Sequence, residues 1–389
     1  MKAPTFPFFT PAVPGLETEI QRELWTLGAH PFAEDGGFFW KGTWRDFYRA
    51  QLLLRTAGRV LVRIKEFEAL TFADLEREAA DLPWRRFLTP GRAFKLKVTC
   101  TKSKLYHEDA VAQRVAKAVE EAGGQWFPGA EDGDAQLFIV RAFRDRFTIS
   151  ADGSGVHLHR RGYRQQTSKA PLRETVAAAL LCSSGWIPSV EEGTGRGAAV
   201  RYKAPDSDLT DPFCGSGTIV IEAALAARRV PPGMANARLE PRAYAFQQWP
   251  SFDAEDWNGT VASLKAKVLG KAPMTLRGSD RDIGAVASAR ANAERAGVEA
   301  DIAWERRALT EAPLPEAGWV VTNPPFGIRI SEGAELRDLY AAFGRLTDRP
   351  GLRTAWLCAD PQFERAAGGT WTKLRAFPNG GIDLTMVAR

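Results

Sequence analysis

The run "DSDLTDPFCGSGTIVIEAALAARR", Asp206 to Arg229, sets a short strand against a helix across a turn of small residues. The strand ends near Asp211, Gly215, Ser216 and Gly217 allow a tight turn, and "TIVIEAALAA" starts the helix. That unit belongs to a doubly wound α/β sheet, and it brings glycine-lined main chain beside a helix N-terminus where a ligand can approach N–H groups.

The glycines do not match GxGxxG, and Asp211 stands where a pyrophosphate would be repelled. An acid there suits a cationic ammonium, such as the amino-acid end of S-adenosylmethionine. Taken alone, an ordinary strand-turn-helix corner reads the same way. Further on, "LRGSDRDIGAVASARANAERAGV" ends a strand at Asp280 and opens a helix with Val286, Ala289 and Ala293 on one side. A carboxylate closing the second strand can accept both ribose hydroxyls, while one of Ser279, Asp280 and Asp282 caps the next helix.

A third loop completes the pattern. "EAGWVVTNPPFG" is a buried strand running into Asn323-Pro324-Pro325-Phe326. Strand carboxyl ends form the crevice of such a sheet, so this turn should face the same cleft as Asp211 and Asp280. Proline fixes its own φ and restricts the residue before it, which aims the Asn323 side chain and the Pro324 carbonyl. Two fixed acceptors can hold the two hydrogens of one exocyclic amine, with Phe326 stacking on the ring that bears it. Pulling those protons toward a tetrahedral geometry frees the nitrogen lone pair for attack on a sulfonium methyl, and the base must leave its stack to arrive there.

Outward from these loops, a seam lies at "RAFRDRFTISADGSGVHLHRRGYRQQTSK", Arg141 to Lys169, which carries seven Arg or Lys against two Asp. It begins as strand and ends as polar linker, and "APLRETVAAALLCSSGW" follows as a helix with Pro171 in its first turn. A new domain therefore starts near residue 166. Before the seam, "GLETEIQRELWTLGA" puts Leu16, Ile20, Leu24 and Leu27 on one helical face, and "AFKLKVTCTKSKLYHEDAVAQRVAKAVEEAGG" runs from strand through a basic turn into a helix. These are small α+β modules.

A chain of 389 residues exceeds one ordinary core and predicts two or three domains. It has no apolar run near the roughly 18 residues of a membrane helix. The proline-rich start does not read as a signal peptide, which points to the cytoplasm. Cys100, Cys182, Cys214 and Cys358 are scattered as reduced thiols, and the four histidines offer no metal spacing beyond His157 and His159, so no metal is expected. A net charge of +5 fits an anionic partner.

"DPFCGSGT" followed by "NPPFG" resembles the S-adenosylmethionine-dependent amino-methyltransferases. "PGLETEIQRELWTLGA", "TKSKLYHEDAVAQRVAKAV", "LHRRGYR", "APLRETVAAALL" and "FPNGGIDL" narrow the resemblance to the THUMP-domain RNA guanine-N2 methyltransferases, close to the bacterial enzyme acting on 23S rRNA. The resemblance implies a ferredoxin-like module over 1–65, a THUMP module over 66–155, a basic linker over 156–170 and a Rossmann-like methyltransferase domain over 171–389. It implies S-adenosylmethionine as cofactor, its methionine end lined by Asp211, Pro212, Phe213, Gly215 and Gly217, its ribose held by Asp280, and Ala170 and Pro171 bordering the pocket. Asn323, Pro324, Pro325 and Phe326 hold the target amine. Where the family usually has an adenine-binding acid, this chain has Arg306 or Arg307. RNA phosphates would meet Lys102, Lys104, Arg160, Arg161 and Arg164, with Tyr163 offering a stacking ring. The implied partner is rRNA, or tRNA, acted on by a monomer away from any membrane; a protein glutamine amide is the remaining alternative substrate for "NPPF".

Overall fold

The structure is a computed structural model, and it describes residues 4–165, 172–193, 199–326, 333–379 and 381–389. In chain order its elements are β1 (Phe6–Pro11), α1 (Glu17–Thr26), β2 (Phe32–Glu34), β3 (Gly37–Gly42), α2 (Trp44–Leu53), β4 (Leu61–Glu68), α3 (Phe72–Ala80), β5 (Ala93–Thr101), α4 (Glu108–Glu121), β6 (Gln125–Trp126), β7 (Gln136–Phe143) and β8 (Arg146–Asp152). After the seam come α5 (Glu174–Ser184), β9 (Ser189–Glu192), β10 (Ala199–Tyr202), β11 (Leu209–Asp211), α6 (Thr218–Ala227), α7 (Ala254–Lys265), β12 (Leu276–Asp280), α8 (Ile283–Ala296), β13 (Ile302–Arg306) and β14 (Gly318–Thr322). The chain closes with α9 (Gly333–Thr347), β15 (Leu352–Cys358), α10 (Pro361–Ala367), β16 (Thr372–Asn379) and β17 (Ile382–Ala388).

The first eight strands form one sheet in the order β2-β3-β1-β4-β8-β7-β5-β6. The expected boundary at residue 65 lies on a strand that the two modules share. It falls inside β4, which pairs with β1 of the first module and with β8 of the second. Two modules share one continuous hydrogen-bond ladder because β4 presents both edges to partners.

The second sheet runs β13-β12-β11-β14-β15-β17-β16, parallel from β13 to β15 and antiparallel at β17 and β16. The order reverses between β11 and β14, so the loops after these two strands diverge and open a crevice. Buried helices α5 and α6 cover one face with alanine, leucine and isoleucine. Helices α9 and α10 pack the other, where Tyr340 stacks on Phe363 with ring centroids 4.5 Å apart.

The seam does not separate the cores. Met234, Tyr244, Phe246, Trp249, Trp257 and Leu264, all from the excursion between α6 and β12, join Phe8, Trp40, Phe47 and Tyr48 in the core of the first half. Phe246 stacks on Tyr48 at 5.1 Å, and the Trp249 indole donates to Gln136 Oε1 at 2.6 Å. In return, the turn before α1 lies so close to β16 that a Cβ on Gly15 would sit 2.0 Å from the Ala376 carbonyl oxygen.

Candidate functional site

Each expected loop begins where a parallel strand stops, and three of them surround a cavity of about 490 Å³. Asp211 closes β11 and is 1% exposed. Its Oδ1 accepts the Thr322 hydroxyl at 2.5 Å, from the end of β14, and the Phe213 N–H at 3.1 Å. Burial pushes its carboxyl up to about 7 despite these two donors, with nearby Asp280 adding to the rise. A buried acid at the cavity wall, with no cation beside it among the described residues, is held in a state that a cationic ligand would relieve.

Pro212, Phe213, Cys214 and Gly215 continue the wall. The Cys214 N–H donates to the Ser279 carbonyl at 2.9 Å, which ties this loop to the end of β12. Gly215 has φ +52°, a left-handed conformation, and its N–H donates to Asp280 Oδ2 at 3.0 Å. Gly217 plays a different part from the one expected. It caps α6 at φ +85°, and a Cβ there would come 3.0 Å from Ala289 Cβ, so it serves helix packing while Ser216 and Thr218 line the cavity. No side chain caps α6, which leaves its first N–H groups beside the cavity.

Asp280 closes β12 and is half-buried. Its Oδ1 accepts the Asp282 N–H at 3.0 Å, so each oxygen takes one backbone donor and keeps a lone pair for a ligand. Asp282 caps α8 by accepting the Gly284 N–H at 2.8 Å. Beyond β13, Arg307 lines the cavity with its guanidinium turned to Glu305 at 3.1 Å, and its N–H donates to the Asp280 carbonyl at 3.0 Å. Arg306 reaches the Arg281 carbonyl instead and is not part of the wall.

Asn323, Pro324, Pro325 and Phe326 form the opposite wall. The Asn323 Oδ1 is buried and has no hydrogen-bond partner among the described residues. An amide oxygen in that state is an acceptor held ready for a donor that comes into line as the reaction proceeds. The Pro325 carbonyl accepts the Tyr340 hydroxyl at 3.3 Å, which pins the turn to α9. Phe326 is half-buried, one flank packed on apolar residues of both faces of the sheet. Gly327, Ala170 and Pro171 lie outside the described residues.

Several wall residues carry no signal in the sequence. Leu172, Leu309, Thr310, Leu339 and Ala342 complete the cavity, and each reads in isolation as an ordinary core or turn position.

The expected phosphate-binding residues divide. Lys102 and Lys104 are exposed on a turn pinned from beneath, where Asp145 Oδ1 accepts the Lys104 N–H at 2.6 Å. Arg160 is exposed as well. Arg161, Arg164 and Tyr163 need correcting. Arg161 is buried, lies 3.4 Å from Glu222 of α6 and donates to the carbonyls of Leu158 and Arg55 at 2.5 Å. Arg164 forks onto Glu174 with both contacts at 3.0 Å, and the buried Tyr163 hydroxyl donates to Glu222 at 3.1 Å. These three residues bind the seam to the second sheet's helices and do not face solvent as a basic cluster. Among the described residues, no group of three His, Cys, Asp or Glu converges as a metal site, and no helix is long and apolar enough to cross a membrane.

Comparison with known proteins places this geometry. Residues 7–61 match the RlmL ferredoxin-like domain, 69–152 the THUMP domain and 201–388 the RMKL-like methyltransferase domain. A relative named "Ribosomal RNA large subunit methyltransferase K/L" from Syntrophotalea carbinolica is 34% identical over 98% of this chain and 53% of its own length. The chain thus spans about half the length of the K/L relatives. A Synechocystis protein named "Putative RNA methyltransferase slr0064" is 30% identical over 99% of this chain and 97% of its own length. A solved "putative methyltransferase complexed with SAH" superposes with a TM-score of 0.83 at 27% identity, covering 100% of this chain and 98% of that one. The chain belongs to the family of RNA methyltransferases that join an RlmL-type ferredoxin-like module and a THUMP domain to an RMKL-like methyltransferase domain.

Proposed function

We propose that this protein methylates the exocyclic N2 amine of a guanosine in structured RNA, with 23S rRNA as the preferred substrate and S-adenosylmethionine as the methyl donor. The observation that carries the reading is the orphaned Asn323 Oδ1 on a cavity whose other wall holds Asp211, Gly215 and Asp280.

The residues present fit the donor. Asp211, buried and held at about 7, suits its ammonium; Asp280 keeps a free lone pair on each oxygen for the ribose hydroxyls; the main chain at Ala308 suits the adenine edge, since the side chain of Arg307 is engaged with Glu305. S-adenosylmethionine, when bound, supplies a methyl group that is electrophilic without metal assistance. The chain's own residues do the rest. Asn323 Oδ1 and the Pro324 carbonyl accept hydrogen bonds from the two amine N–H groups, Phe326 offers its free face to the extruded base, and the fixed Pro-Pro turn holds these dipoles in place before the reaction begins; the methylated nitrogen then loses one proton to solvent. The working unit is proposed as a monomer, and an RNA substrate supports the cytoplasm as its place.

The preference for rRNA rests on what the K/L relatives are named for. The test is incubation of the full chain with isotope-labelled S-adenosylmethionine and, separately, unmodified 23S rRNA, total tRNA and a protein extract, followed by digestion and mass spectrometry. Labelled N2-methylguanosine from the 23S rRNA is the expected product. Label on tRNA alone would move the substrate, and label on N6 of adenosine, C5 of cytosine or a protein glutamine would reject the reading.

A further inference from the structure

A second cavity, of about 460 Å³, lies between α1 and α2 of the first half and α5, α6 and β10 of the second, away from the methyl-transfer loops. Its size is that of a small-ligand pocket. Five cationic side chains line it: Arg49, Arg55, Lys203, Arg229 and Lys267. Against them stands one carboxylate, Glu23, and it is spent inside the fold. Its oxygens accept the Arg55 N–H at 2.7 Å, the Thr56 N–H at 2.9 Å and the Thr56 hydroxyl at 2.5 Å. Burial raises its carboxyl above the usual value, which further weakens it as a counter-charge.

Four of the five cations are not matched elsewhere among the described residues. Among the described residues, Arg55, Lys203, Arg229 and Lys267 have no carboxylate within ion-pair distance, whereas Arg49 has Asp46 at 3.6 Å. Lys203, Arg229 and Lys267 stand exposed at the rim. Arg55 lies deeper. Its Nη2 donates to the Val230 carbonyl at 2.9 Å, but its Nη1 is buried with no partner among the described residues. Burial holds this guanidinium below its ordinary value, even with Glu222 and Glu23 in range. The remaining wall is apolar, formed by leucines, prolines and Ile187, with the Tyr202 ring beside them.

From this arrangement we infer that the cavity is a second binding site, selective for a nucleotide phosphate: the rim cations hold the phosphate and the apolar wall takes the base or sugar. The same chemistry is offered by a free nucleoside phosphate and by one nucleotide of an RNA chain. A neutral or cationic ligand would leave four positive charges facing each other.

The test uses the full chain and two probes, guanosine 5′-monophosphate and a short single-stranded RNA, each titrated by calorimetry at low salt. The cavity variant is Arg229→Glu/Lys267→Glu, at exposed positions that leave the core intact. Lys265→Glu, an exposed lysine two residues from Lys267 and outside the cavity, controls for charge. The expected result is a loss of about tenfold or more in affinity for at least one probe, equivalent to about 1.4 kcal/mol, in the cavity variant and not in the control. A loss confined to the mononucleotide identifies a free nucleotide as occupant, and a loss confined to the RNA identifies an RNA phosphate. Equal affinities of parent and cavity variant for both probes, no binding of either, or an equal loss with Lys265→Glu would overturn the inference. Methyl transfer is not the readout, so failure of the catalytic reading leaves this outcome interpretable.

Discussion

Lowering the pH should loosen the donor's grip through one carboxyl group. Asp211 is buried with its carboxyl at about 7, so below that pH it carries a proton, and a ligand's ammonium can pair with it only after the proton leaves. Observed affinity then scales as 1/(1 + 10^(pKa − pH)), which between pH 7.5 and pH 5.5 amounts to a loss of about twenty-five-fold, or about 1.9 kcal/mol. The sign follows from linkage. The folded carboxyl holds its proton more tightly than the unfolded one, whose ordinary value is 3.8. Ionisation therefore costs the ligand-free fold stability as pH rises from about 4 through 7, and a cationic ligand removes that cost. Calorimetry with S-adenosylhomocysteine in two buffers of different ionisation enthalpy should detect nearly one proton released per ligand at pH 5.5 and a minor fraction at pH 7.5. Asp211→Asn should bind weakly at every pH without that slope, and its ligand-free form should melt higher than the parent at pH 8. Parent affinity that stays flat across the range, with no proton released, would refute the assignment of Asp211 to the ammonium.

Three further outcomes are expected. Asn323→Ala should lower kcat by roughly 10²–10³ with both substrate affinities nearly unchanged, because its oxygen is called on as the amine becomes tetrahedral; steady-state kinetics decides this. Asp280→Ala should weaken S-adenosylmethionine at least about tenfold by calorimetry, since each hydroxyl bonded to a charged acceptor is worth about 1.5–3 kcal/mol. Arg161→Ala should cost about 3–5 kcal/mol of unfolding free energy by leaving Glu222 buried and unpaired, and Arg161→Ala/Glu222→Leu should recover much of it, while the salt dependence of RNA binding stays as in the parent.

The site is legible wherever one short stretch carries both the strand end and the functional group. Asp211 and Asp280 each close a strand of the parallel sheet and Asn323 directly follows the end of another, so period and position alone put them in one crevice. What the sequence conceals depends on distant partners. Arg161 and Tyr163 read as a surface patch because the acid that buries them, Glu222, lies about sixty residues on within a run that looks wholly apolar. Arg164 is misread for a related reason: Glu174 opens a helix and resembles an ordinary first-turn acid. Gly217 looks like a ligand contact, and the close packing of Ala289, Ile221 and Trp304 around it comes from elements the sequence does not bring together. The single eight-stranded sheet is hidden too, since nothing in the alternation of β4 tells that both of its edges are paired.

The aromatic excursion between α6 and β12 also bears on how the chain matures during synthesis. The sheet of the first half is fully made once Asp152 emerges, yet Trp249 and Trp257, which close its core, follow roughly a hundred residues later. At about 5–20 residues per second that is a delay of about 5–20 seconds. During it the nascent first half displays an open aromatic face built around Phe47 and Tyr48, a surface on which a holdase chaperone would act until the later tryptophans arrive.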